Sequence, residues 1–427
     1  MSELAILGGP KAVPDGMIKP WPPIGDLDRK LVMASLESDK HTFGPNCQEL
    51  EKEFSAWNGN KFAIATNSGT AALHMAVAAC GCGAGDHVIV PAYSWSSSVT
   101  CVLHHNCVPV FVDIKFATIN IDENKIEAAI TPKTKAILVV HLHGLAVNME
   151  KVCAIAKRRN LKVIEDCCQA HGALFKDKKV GTWGDAAAFS LNQNKCLTSG
   201  EGGILTTDDE KIHQNARMIW SFGETRTPIE DRDYHAYALG WMYRHNDLSA
   251  AFGRAQLSRL DDYLATQKAN AVVLLDELRD VNGLILPTEP EGCRHNWYNF
   301  QIRINSNALS RADDPSRLRY AMMKAIQAEG VPAGVYQRFI LPDMTVFKAK
   351  NAYGKGCPWS CPFGEDVEYR SEDYPESKRH LDTHFGMTVP LRAPNGTDVA
   401  KATAEGIRKV FDQVDKLDVE KILSEKQ

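Results

Sequence analysis

Residues 186–207 read AAAFSLNQNKCLTSGEGGILTT. Two short apolar runs, Ala186–Ser190 and Gly203–Thr207, have the composition of buried strands. The turn between them carries a lysine, Lys195, among Asn, Ser, Thr and Gly. A lysine at a strand end in such surroundings can form a Schiff base with a carbonyl, and Ser190, five residues earlier, can hold a phosphate.

Working outward, β-rich runs alternate with helical stretches from residue 61 onward. The runs are Lys61–Thr66, His87–Pro91, Val108–Ile114, Ala136–His141, Lys162–Asp166, Ala186–Ser190 and Gly203–Thr207, with helices such as Ala71–Cys80 and Val152–Arg159 between them. Apolar strands separated by helices predict an α/β fold whose mainly parallel, seven-stranded sheet is covered on both faces. Ligands of open α/β sheets sit at the carboxyl ends of strands. Upstream, residues 1–25 are rich in Gly and Pro and read as an N-terminal arm; Asp26–Ser38 and Cys47–Trp57 read as helices. Asp247–Ala265 reads as one long helix and Gln267–Arg279 as another. Beyond them, strand-like Trp297–Ile304 and Gly386–Leu391 lie among helices Ser316–Glu329 and Val399–Val414, and the charged tail 416–427 reads as a terminal helix. The expected division is an arm (1–25), a large domain (26–265) and a smaller C-terminal α+β domain (266–427).

The strand ends carry the chemistry. Asn67-Ser68-Gly69-Thr70 opens a helix, so its backbone N–H groups, the positive end of the dipole and a hydroxyl can meet an anion. Trp95 stands among small residues where an aromatic can lie on a planar ring. Asp166 ends a buried apolar run, where an unpaired carboxylate is costly and a pyridinium nitrogen is a fitting partner; Glu165 points the other way by strand alternation. Each element alone has a plainer reading, as N-cap, packing residue, helix-capping aspartate or surface lysine. Their order along one sheet edge meets the demands of pyridoxal 5'-phosphate (PLP).

Composition excludes other classes. Over 427 residues the hydrophobic share is 44%, the charged share 24% and the net charge −4, so nothing draws the chain to nucleic acid or an anionic membrane. No apolar run reaches membrane-spanning length, the start lacks a signal-peptide pattern, and a cytoplasmic location is expected. The twelve cysteines are expected to be reduced, several of them as small buried hydrophobes. Cys357 and Cys361, with His380 and His384, loosely resemble a zinc ligand set. The long gap between the two pairs favours a surface loop, and no metal is expected. The stretch Tyr353–His384 has no matched role and reads as a lid or surface loop.

The ordered set resembles fold type I PLP enzymes of the aspartate aminotransferase kind. More narrowly it resembles the DegT/DnrJ/EryC1/StrS family of sugar and cyclitol aminotransferases. The motifs that carry the resemblance are NSGTAALH at 67–74, VIVPAYSW at 88–95, PVFVDI at 109–114, IEDCCQAHGA at 164–173 and FSLNQNKCLTSGEGG at 189–203. The resemblance implies Lys195 as the Schiff-base lysine, Asp166 at the pyridine nitrogen and Trp95 on the ring. It further implies Ser190, Gly69 and Thr70 at the phosphate and Gln169 near the phenolic oxygen. It implies ping-pong transfer of an amino group from L-glutamine or L-glutamate to a keto-sugar or keto-cyclitol, in a homodimer. His171, Asn192 and Tyr336 are candidates for substrate hydroxyls. The sequence departs from the family where Gly240-Trp241-Met242-Tyr243-Arg244 replaces the usual Gly-Tyr-Asn-Tyr-Arg, so Met242 lacks the amide expected to reach the neighbour's phosphate. Asn192-Gln193 is nearer the Gln-Gln of the cyclitol branch, typified by scyllo-inosose aminotransferases, than the His-Pro of nucleotide-sugar members. Two alternatives stay open: elimination or aromatisation on a carbocycle, and a non-enzymatic PLP-binding or sensory protein.

Overall fold

The computed structural model describes residues 2–225 and 233–424. Seven strands form the main sheet: β1 (Phe62–Thr66), β2 (His87–Pro91), β3 (Val108–Val112), β4 (Thr134–Val140), β5 (Lys162–Asp166), β6 (Ala186–Ser190) and β7 (Gly203–Thr207). They lie in the order β1-β7-β6-β5-β4-β2-β3. All are mutually parallel except β7, which runs antiparallel to both β1 and β6. Central strands such as β2, β6 and β7 are buried at every position, as a sheet covered on both faces requires. Two apolar clusters, one around Ile64, Val90 and Leu138 and the other around Ile89, Ile137 and Phe189, form the core beside it.

The helix Gly69–Ala79 follows β1 and buries nearly its whole surface, as its Ala-rich sequence allows. The long helix expected over 247–265 is instead two, Asp247–Leu257 and Leu260–Leu278, and the expected boundary at 265 falls inside the second. The corner at Ser258-Arg259 is fixed by Asp28, whose carboxylate accepts from Gln256 Nε2 at 2.7 Å and pairs with Arg259 at 2.6 Å. A tertiary latch, with no Gly or Pro, breaks the apolar period there.

The C-terminal part carries a three-stranded antiparallel sheet of Leu284–Ile285, Phe300–Ile304 and His384–Met387, packed with helices Pro315–Ala328 and Thr397–Asp412. The strand expected from Trp297 starts only at Phe300, because Trp297 takes a positive φ of 60°. The one expected over 386–391 is His384–Met387, with Val389–Leu391 a 3-10 turn. The N-terminal arm is bound, not loose. Leu4 and Val13 are buried in the C-terminal core, and Ala5 and Ala12 N–H groups donate to Glu329, which also pairs with Lys409 at 2.9 Å.

The stretch 353–384, expected as a lid or surface loop, runs at the surface through turns into the helix Pro375–Thr383, and together with the preceding helix Thr345–Lys348 it is anchored. Residues 345–384 pack along β3, the edge strand of the main sheet. Phe111 meets Phe347 at 5.2 Å and Tyr369 at 5.1 Å between ring centroids, while Trp359 and Tyr374 are buried beside them. Tyr369 Oη donates to the Pro109 carbonyl at 2.7 Å, and Asp113 accepts from the Glu376 and Ser377 N–H groups at the start of helix Pro375–Thr383. An edge strand left bare invites pairing with another chain, and this segment covers it. Phe111→Ala is expected to lower the unfolding free energy by about 3–5 kcal/mol, the cost of an emptied aromatic site. Urea titration checks it; an unchanged midpoint would mean that the segment does not rest on the strand.

Cys357 and Cys361 correct the expectation that all thiols are reduced. They form a disulfide across the Pro358-Trp359-Ser360 turn, which brings their Cα atoms to 5.4 Å, while the other ten are free. His380 and His384 stack on each other behind Tyr93, buried among aromatic side chains. Among the described residues no helix is long and apolar enough to cross a membrane.

Candidate active site

The carboxyl ends of β1, β2, β5 and β6 open into a cavity of about 410 Å³. Gly69, Thr70, Trp95, Asp166, Gln169, Ser190, Asn192, Lys195 and Tyr336 all line it. Residues far apart in the chain thus converge: all but Tyr336, which comes from the C-terminal part after helix Pro315–Ala328, follow or end a strand of the main sheet.

At one end lies the start of helix Gly69–Ala79. The first turn of a helix leaves N–H groups without intrahelical partners. Ser68 Oγ accepts one of them, from Ala71 at 3.1 Å. Gly69 lets this turn lie against β6: a Cβ there would stand 2.7 Å from Ser190 Cβ and 2.9 Å from Cys168 Sγ. Helix start, Thr70 and the Ser190 hydroxyl therefore make a compact anion cradle with no room for a side chain.

Asp166 is 3% exposed. Its Oδ2 accepts from Ser98 Oγ at 2.6 Å and its Oδ1 from the Cys168 N–H at 3.0 Å. No Lys, Arg or His among the described residues pairs with it within 4.0 Å. A buried carboxylate with only neutral donors fits a cationic ring nitrogen that enters with a ligand. Glu165 faces the opposite side, as alternation requires. It accepts from the N–H groups of Gly181, Trp183 and Gly184 and lies 2.9 Å from His141 Nε2. Burial pushes its carboxyl up, but His141 and these donors outweigh burial and hold it below the usual range. His141, Glu165 and Cys167 bring ligand-type atoms together, yet the Glu165 oxygens are already consumed by N–H donors.

Lys195 closes the tight turn that follows β6; its N–H donates to the Asn192 carbonyl at 2.8 Å. Its amine reaches into the cavity and lies 3.5 Å from Tyr298 Oη. Burial alone would lower the amine's pKa. Tyr298, Cys168 and Asp166 together outweigh burial and lift it above the ordinary lysine value.

Trp95 is 53% exposed at the cavity wall, its ring 6.0 Å from Tyr336. The Gln169 amide is clamped: Oε1 accepts from the His143 N–H at 2.8 Å and Nε2 donates to Tyr336 Oη at 2.7 Å. Asn192 Nδ2 donates to Glu201 at 2.7 Å across the mouth. His171 is a correction. Its ring is fully buried against Phe189, outside the cavity lining, and burial drives its pKa down to about 3. It follows a chemically loaded motif but turns into the core. Sequence reasoning missed Ser97, Ser98, Cys168, Asn194, Glu201 and Tyr298, which with Ser68 complete the wall. Ser98 lay in plain view within Ser96-Ser97-Ser98, whereas Tyr298 comes from a segment a hundred residues distant with no motif to mark it.

The seven-stranded, mainly parallel sheet is that of fold type I PLP-dependent transferases. Residues 22–367 match the DegT/DnrJ/EryC1/StrS aminotransferase family, and the chain belongs to it. It is an aminotransferase, and the enzymes of this family depend on PLP. The spore coat polysaccharide biosynthesis protein SpsC of Bacillus subtilis is 37% identical over 66% of this chain and 75% of its own length. L-glutamine:scyllo-inosose aminotransferase of Streptomyces griseus is 35% identical over 73% of this chain and 76% of its own. Among solved structures, 3-amino-5-hydroxybenzoic acid synthase superposes with a TM-score of 0.82 at 28% identity, covering 93% of this chain and 99% of that one.

Proposed function

We propose that this protein transfers an amino group from L-glutamine or L-glutamate to a keto-cyclitol or related keto-sugar, with Lys195 and Asp166 as its catalytic pair. The observation that carries the reading is the convergence of Lys195, Asp166, Trp95 and the Gly69–Thr70 cradle on one cavity. When bound, PLP supplies a carbonyl for the amino group and a ring that accepts the electron pair released at the donor's α-carbon. Lys195 would hold it, and its amine is the group that would move the proton at the reacting carbon. Asp166 would pair with the ring nitrogen, Trp95 would stack on the ring, and Gln169 would offer an N–H to the phenolic oxygen. Ser190, Gly69 and Thr70 would hold the phosphate. Asn192 and Tyr336 are the groups proposed for substrate hydroxyls.

A neutral carbocyclic ketone is favoured over a nucleotide-linked sugar. Lys195 is the only cationic side chain among the described residues lining the cavity, and Glu201 stands at its mouth, a poor setting for a diphosphate. The working unit is proposed to be a cytoplasmic homodimer. Met242, 48% exposed, and its exposed neighbour Leu239 are expected to face the partner. Adding L-glutamine or L-glutamate without acceptor is expected to bleach the bound cofactor's visible band, with stoichiometric release of the oxo acid. A band indifferent to both donors would overturn the donor assignment. Product analysis with a keto-cyclitol then separates amination from elimination or aromatisation.

A further inference from the structure

We propose that Tyr298 is a positioning residue, whose hydroxyl accepts a hydrogen bond from the Lys195 amine and aims that amine at the reacting carbon. The proposal rests on Lys195 being the reactive lysine. Tyr298 is 7% exposed and lines the cavity, its Oη lies 3.5 Å from Lys195 Nζ, and the same Nζ stands 5.0 Å from its ring centroid. Hydrogen bonds to a reacting group are often long before substrate arrives and tighten in the complete site.

The ring is held where it is for reasons that ordinary packing does not require. Its backbone N–H donates to Asn296 Oδ1 at 2.8 Å, and Asn296 Nδ2 donates in turn to the carbonyls of Gln169 and His171, just beyond Asp166. Asn296 reaches that position because Gly144 leaves it room: a Cβ on Gly144 would stand 1.7 Å from Asn296 Oδ1. On the other side is Arg392, 2% exposed and without a carboxylate partner among the described residues. Its guanidinium lies 5.3 Å from the Tyr298 ring and 5.2 Å from that of Trp21, distances at which a desolvated cation gains from an aromatic face. Arg392 Nη2 also donates to the Asn194 carbonyl at 2.6 Å, and Trp21 Nε1 to the Gln193 carbonyl at 3.0 Å. The N-terminal arm and the C-terminal part thus tie down the two peptide groups before Lys195, while Tyr298 takes the amine at the far end of the side chain. A lysine fixed at both ends loses little orientational freedom on reaction, which is where positioning lowers a barrier.

The charged and titratable groups around the amine are Asp166, Cys168, Cys196, Glu201, Tyr336, His143, His171 and Arg392. Burial keeps His143 and His171 neutral, and Tyr298 contributes to raising the pKa of the amine. Tyr298→Phe changes none of those neighbours and preserves the ring. In the holoenzyme it is expected to lower kcat of the donor half-reaction by about 10²-fold, with little change in KM. In the full-length protein stripped of cofactor, the pH midpoint for labelling Lys195 with an amine-reactive acylating reagent, read by peptide mass spectrometry, is expected to fall. Tyr298→His, which keeps an acceptor, is expected to recover part of both losses. Borohydride trapping of the cofactor separates the two readings. Trapping on a residue other than Lys195 overturns the lysine assignment and this proposal together. Trapping on Lys195, with kcat and labelling midpoint of Tyr298→Phe as in the wild type, overturns the role of Tyr298 alone.

Discussion

Lys195→Ala is expected to abolish turnover, by at least about 10⁴-fold, and to leave the fold intact. Two losses combine in that number. The substitution removes the proposed covalent anchor, and it removes the only amine among the described residues lining the cavity, the group proposed to carry a proton at the reacting carbon, a contribution alone of about 10²–10⁴-fold. The fold should survive because the turn around Lys195 is held by the backbone, through its N–H on Asn192 and the Asn194 and Gln193 carbonyls bound by Arg392 and Trp21. Losing a part-buried amine also lifts a desolvation cost. Single-turnover kinetics beside a thermal melt check it. Appreciable transamination by the folded variant would sink the assignment of Lys195.

Asp166→Ala is the second large effect, a folded protein with activity reduced by about 10- to 10³-fold. An opposite charge within a few ångströms shifts the proton affinity of a partner group by roughly one to three units. Each unit is worth about 1.4 kcal/mol, or a factor of ten in rate if the full shift is felt in the transition state. The variant leaves Ser98 Oγ without its 2.6 Å acceptor, although Ser94 Oγ, 2.8 Å away, remains as a partner. Asp166→Asn separates charge from shape, since the amide oxygen can still accept from the Cys168 N–H. Comparable losses in both variants point to charge, and near-normal rates in either would mean that the ring nitrogen has another partner.

The main sheet was legible because its strands are uninterrupted apolar runs bounded by turn residues, so period and length agree; each of the seven lies within a few residues of its expected place. The cavity was legible for a related reason: in a parallel sheet the residue after each strand is carried to one edge, so order in sequence becomes proximity in space. That logic fails away from the sheet. His171 sits two residues past Gln169, but a left-handed Gly172 and the packing on Phe189 send its ring into the core. The corner at Ser258-Arg259 depends on Asp28, some 230 residues upstream, and no local signal marks it. Tyr298 belongs to the same class, since its position is set by Asn296, Arg392 and a glycine in the loop after β4. The segment over β3 carries its information in scattered aromatics, Trp359, Tyr369 and Tyr374, with neither helical nor strand spacing.

That covering segment has a consequence for how the protein is made. The strand it protects is complete by residue 112, but Tyr369, which reaches the Pro109 carbonyl, is 260 positions later, and Ser377, which meets Asp113, is 264 later. During synthesis from the N-terminus, the main sheet can therefore assemble long before its outer rim is sealed. At elongation rates of about 5–20 residues per second the rim waits on the order of ten seconds or more on the ribosome. Truncation before residue 340 should yield a nascent sheet with a permanently open side, inclined to stick to its neighbours. The edge that residues 108–112 open is closed only when residues 345–384 have been made.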